Sequence, residues 1–128
     1  MGYRSDVMAA FYVREARHLP ILKIWLTANF PMEQLGGCVR WFDRGMVFEE
    51  DSVKWYDDYD DVKAFNEAVK KYLILMDTES KNPTPDDFPV FSYEFVRLGE
   101  NYDDIVTEYE GVDCECLLGV DRNITSEV

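Results

Sequence analysis

The sequence predicts an α+β two-layer sandwich. A mostly antiparallel sheet of about four to six strands carries two helices on one face, in the order β-α-β(β)-α-β-β-β. Three observations predict it. Ser5–Val13 is polar only at its start and then almost continuously apolar, as a strand covered on both faces must be. Two later segments repeat their apolar residues at spacings of three and four, the period of a helix with one buried face. The last third alternates apolar runs with clusters of Gly, Asn and Asp, the pattern of a meander.

Taken in order, Ser5–Val13 is the first and central strand, and Arg14–His18 is a polar break. Pro20 fits the first turn of a helix, where its missing N–H costs nothing. Two adjacent ridges follow, Leu19, Leu22, Leu26 and Ile21, Ile24, Ala28, and Pro31 ends the helix soon after Asn29. Gly36-Gly37 punctuates the chain, and Cys38–Asp43 and Met46–Tyr56 are strand-like around a turn at Arg44-Gly45. Glu49-Glu50-Asp51-Ser52 is expected to interrupt the second of these, which makes Ser52–Tyr56 its better part. Asp57–Asp61 leads into the clearest helix, marked by Val62, Phe65, Ala68, Val69, Tyr72, Leu73 and Met76. Asp58 or Asp60 is expected to cap it, with Lys70 and Lys71 towards its negative pole. Glu79–Pro89 has three prolines and no period and is expected to be a loop. Val90–Leu98, Ile105–Tyr109 and Cys116–Ile124 are the closing strands, with turns at Gly99–Asp104 and Gly111–Asp113.

At 128 residues the chain is expected to form one domain over 1–128. Its charge is lopsided. Residues 1–40 hold five Lys and Arg against three acids, whereas residues 41–128 hold eight against 23, within a formal net charge of −13. Such a field bears on solubility and on which surfaces the chain can approach, not on folding. It argues against direct binding of nucleic acid or anionic lipid, and it permits a basic protein partner. No run of about 18 apolar residues offers a membrane span, and the first residues lack the apolar core of a signal peptide. Three cysteines, Cys38, Cys114 and Cys116, suit free thiols in a reducing compartment.

The search for chemistry is mostly negative. The single histidine, His18, reads as a surface or helix-capping residue, and no nucleophile elbow, phosphate loop or dinucleotide fingerprint accompanies it. Cys114-Glu115-Cys116 lacks the two further ligands of a tetrahedral metal site, and in a strand its thiols would share one small apolar face. The acidic clusters carry more. Asp57, Asp58, Asp60 and Asp61 fall within five residues, and Asp103 and Asp104 sit at a turn, followed by Glu108, Glu110, Asp113 and Glu115. Their spacing does not match a calcium loop. A solvated acidic face explains them, and so does a surface made to occupy a basic cleft. Tyrosines interleaved with the acids, Tyr56, Tyr59, Tyr102 and Tyr109, would add amphipathic anchors. The candidate partner-binding residues are Asp57, Asp58, Tyr59, Asp60, Asp61, Tyr102, Asp103 and Asp104, with no catalytic residue, no metal and no cofactor.

The opening Met1-Gly2-Tyr3-Arg4-Ser5-Asp6-Val7, the segment Val53–Asp57, the segment Glu94–Glu100 and Tyr102–Ile105 together resemble a family of small uncharacterised proteins encoded by tailed bacteriophages. Glu79–Pro89 and Cys114–Cys116 depart from that pattern. The resemblance brings no activity and no functional residues with it. It implies expression in the cytoplasm of an infected bacterium and raises the expectation of an accessory protein that binds and inhibits a host protein. Expected, then, is a non-enzymatic binder of a host protein with a basic surface, such as a nucleic-acid-binding or defence factor. The alternatives are a structural or self-associating domain, such as a homodimer, whose acidic face only gives solubility, and a binder of a divalent metal or small ligand.

Overall fold

The computed structural model describes residues 2–81, 89–101, 103–111, 114–120 and 123–128. Its elements are β1 (Ser5–Val13), a short 3-10 turn (Ala16–His18), α1 (Leu19–Asn29), β2 (Cys38–Phe42), β3 (Gly45–Val53), α2 (Asp60–Ser80), β4 (Phe91–Gly99), β5 (Ile105–Glu110), β6 (Leu118–Val120) and β7 (Ile124–Ser126). The fold is the α+β sandwich that the sequence predicts. Five antiparallel strands in the order β2-β3-β1-β4-β5 form the main sheet, and both helices pack on one face of it.

β1 is central, as its unbroken apolar run demands. Val7, Ala9, Phe11 and Val13 point to the helices, where Leu22 and Leu26 of α1 and Phe65, Ala68, Val69 and Tyr72 of α2 complete the main core. Aromatic edges dominate that core: Phe11 meets Phe30 at 5.5 Å and Tyr72 at 5.1 Å, both near perpendicular, the favoured geometry for rings. Of the two ridges of α1, the one with Leu22 and Leu26 is buried, while Ile21 and Ile24 face outward. Pro20 sits in the first turn as expected.

The alternate residues of β1, Met8, Ala10 and Tyr12, face the other way. There they meet Val47, Val96, Leu117 and Leu118 in a second, smaller core. This cover is where the last third differs from a simple meander. Cys116–Ile124 does not join the main sheet as one strand; β6 and β7 pair with each other in a separate two-stranded sheet. The physical reason is β1 itself, whose second apolar face must also leave water. Val112-Asp113 of the predicted turn and Asp121-Arg122 of the predicted strand lie outside the described residues, as do residues 82–88 of the predicted loop.

β3 runs through Glu49-Glu50-Asp51 instead of breaking there, because β1 pins it in register (Met8 opposite Glu49, Val7 opposite Glu50). Ser52–Tyr56 is not the better strand: the register shifts between Ser5 and Val7, Ser52 takes a left-handed φ of 53°, and Lys54–Tyr56 leave the sheet. In α2 neither Asp58 nor Asp60 caps the helix. Tyr59 holds the cap position without a side-chain bond, and Asp60 and Asp61 lie in the first turn, at the positive end of the dipole. The helix continues to Ser80, so Lys70 and Lys71 fall at its middle and no base stands in its last turn. Among the described residues no helix is long and apolar enough to cross a membrane.

Candidate partner-binding groove

The two acidic clusters meet at one groove. After β3 the chain passes through Trp55 and Tyr56 into the turn that carries Asp57 and Asp58, and α2 then lies back over the sheet. On the far side, β4 ends at Gly99, whose N–H donates to the Asp104 carbonyl at 2.8 Å just before β5 begins. Between them opens a groove of about 620 Å³ whose rim includes Asp57, Asp58, Asp104 and Glu108. Its floor is aromatic: Trp55 lies edge-on to Phe65 at 5.1 Å, and Phe95 sits 5.8 Å from Phe65 and 6.2 Å from Trp55.

Tyr3 ties the two rims together. Its backbone N–H donates to the Tyr56 hydroxyl, and its own hydroxyl donates to Asp104 Oδ2 at 2.7 Å. Arg97 forks onto the same carboxylate, Nη1 to Oδ2 at 3.1 Å and Nη2 to Oδ1 at 3.0 Å. The Tyr3 hydroxyl, followed by Arg97, holds the Asp104 carboxyl below its ordinary range. A Cβ at position 99 would collide with both Asp104 Oδ2 and the Tyr3 hydroxyl, so this close approach requires glycine. Asp104 is thus a positioned, internally paired carboxylate, and Arg97 is neutralised where it lines the groove.

The other candidates are placed differently. Asp58 also borders a neighbouring recess of about 560 Å³ with Gln34, Tyr59, Asp60 and Asp61. Tyr59 stacks edge-on against Tyr56 at 5.0 Å. Burial, and then the charge of Asp61, raise the Glu50 carboxyl above its ordinary value. Asp103 is exposed and borders neither recess. Tyr102 lies outside the described residues.

The sequence reading missed Tyr3, Trp55, Asn66, Arg97 and Glu108 as groove residues. One signal was present for the last: Glu108 and Glu110 share a strand face, two residues apart, opposite Phe95 and Tyr93. Both carboxylates, after burial itself, push the Tyr93 hydroxyl far above its ordinary value.

His18 stands just before α1, yet its imidazole is buried, forms no capping bond and has Nδ1 3.9 Å from Glu15 Oε2. The cysteines do not share a strand face either. Cys116 is exposed at a left-handed φ of 54°, before β6 begins, while Cys114 is half-buried with Sγ 3.4 Å from Glu94 Oε2. Among the described residues no three His, Cys, Asp or Glu side chains are grouped so as to hold a metal ion. No family model matches the chain, and neither a curated protein nor a solved structure matches it.

Proposed function

We propose that this protein is a non-enzymatic binding module that captures a basic protein surface through the acidic, aromatic-floored groove. The observation that carries this reading is the meeting of Asp57 and Asp58 with Glu108 around one cavity, in which Asp104 neutralises Arg97. Carboxylates on a rim speed the encounter with a basic partner, and rings beneath them supply the apolar contact that holds it. The resemblance to phage proteins makes the partner a host protein, inhibited by occupation of its basic cleft in the bacterial cytoplasm. A cleft that normally receives nucleic acid would suit the −13 charge. Charge reversal tests this: Asp57→Lys/Asp58→Lys/Glu108→Lys should abolish capture of the partner that the wild type retains from bacterial lysate, whereas Asp103→Lys should not.

A second reading has its own observation. α1 carries no acid, and Ile24 on its outer face is 72 % exposed. This is a face on which copies of so acidic a chain could approach each other. Sedimentation separates the two readings: a dimer that Ile24→Lys dissociates would favour self-association.

A further inference from the structure

We infer that the partner segment is an extended strand with Lys or Arg at every second position, added to the free edge of β5 so that its basic side chains enter the groove. This rests on the reading above that the partner is basic, and it goes beyond it in naming the conformation and spacing recognised. Among the described residues β5 has a sheet neighbour on one side only, β4, and it is exposed along most of its length. An edge strand offers unpaired N–H and C=O groups to any strand that can lie beside it.

The side chains of β5 decide which strand that is. The register sets Val106 opposite Arg97, Glu108 opposite Phe95 and Glu110 opposite Tyr93, so these three residues share the face that bears the helices and the groove. Glu108 and Glu110 are therefore separated by about 7 Å, the repeat of alternate side chains along any strand. An incoming strand with cations at alternate positions meets both carboxylates in register. The cation beside Glu108 also lies next to the groove, whose carboxylates Asp57 and Asp58 attract it.

The same carboxylates refuse a second copy of β5, since that pairing would set like charges against one another. The opposite edge of the sheet does not offer this match. On β2, Arg40 is the charged residue, directed at Glu49 and at the Val128 carbonyl.

The test is a titration of the 15N-labelled protein with two capped octapeptides of identical composition, one alternating Arg and Thr, the other with four Arg followed by four Thr. Expected are shifts and slowed exchange of the Ile105–Glu110 amides with the alternating peptide, binding about tenfold tighter than the block peptide, and loss of both effects in Glu108→Lys/Glu110→Lys. Equal binding of the two peptides with changes confined to Asp57–Asp61 would overturn strand addition while leaving the basic-partner reading in place. No change anywhere with either peptide would overturn both.

Discussion

The carboxylate of Glu94, wholly buried in β4, accepts the backbone N–H groups of both Leu117 (3.0 Å) and Leu118 (2.8 Å). It also accepts the Tyr12 hydroxyl, which in turn accepts Glu115 N–H at 2.7 Å. Burial, and then this bond to Glu94, drive the Tyr12 hydroxyl far above its ordinary value. One carboxylate thus fastens the C-terminal hairpin over the second face of the sheet, helped at the surface by the Arg44–Glu115 ion pair.

Glu94→Ala strands two buried backbone donors and a tyrosine hydroxyl, so urea denaturation should show a loss of about 3–5 kcal/mol. Glu94→Gln keeps one acceptor oxygen and should lose less, about 1–3 kcal/mol. In both variants, hydrogen exchange should rise first at Leu117 and Leu118. Unchanged protection there would contradict the fastening role.

Phe65 contacts Phe30, Phe48, Trp55 and Phe95 at ring separations of 5.1–5.9 Å. It joins the main core to the groove floor. Phe65→Ala should cost about 3–5 kcal/mol by denaturant titration, and the Trp55 fluorescence should shift as its edge contact is lost.

The Tyr3–Asp104–Arg97 link makes a pH prediction. The folded pKa of Asp104 is depressed, so its contribution is complete above the unfolded aspartate value near 4 and is lost as the pH falls through the lower folded value. As the pH falls below about 4 the wild type should therefore lose stability more steeply than Asp104→Asn. Glu50 runs the other way. Its raised pKa means the folded state holds the proton more tightly, so its ionised form opposes folding at neutral pH. Glu50→Gln should raise the denaturation midpoint at pH 7, and this gain should shrink as the pH falls through the raised folded value and vanish below the ordinary glutamate value of the unfolded chain.

Ser52 sits at a φ of 53°, in the left-handed region. Ser52→Gly relieves the steric cost of a Cβ there, offset in part by the greater freedom of glycine in the unfolded chain. A net gain of about 0.5–1 kcal/mol is expected, read as a raised melting temperature.

The centre of the fold was legible because its signals are local. The unbroken apolar run of Ser5–Val13 and the helical period from Val62 to Met76 each lie within one element. What was not legible depends on pairing across the chain. The course of β3 through three acids is imposed by β1, some 40 residues earlier in the sequence. Glu94 reads as the solvent-facing residue of a strand, since carboxylates are rarely buried, and its partners come 23 and 24 residues later. The acids at 57–58 and 104 were visible as clusters, but their union depends on Tyr3, which is 101 residues away from Asp104.

The central claim is that the groove binds a basic partner by charge. The measurement that tests it most directly is the salt dependence of affinity for a basic protein retained from bacterial lysate by the wild type, compared between the wild type and Asp57→Lys/Asp58→Lys/Glu108→Lys. The account predicts that wild-type affinity falls steeply as salt rises and that the variant binds at least about a hundredfold more weakly at low salt. Equal affinity of the two proteins, with no dependence on salt, would contradict it.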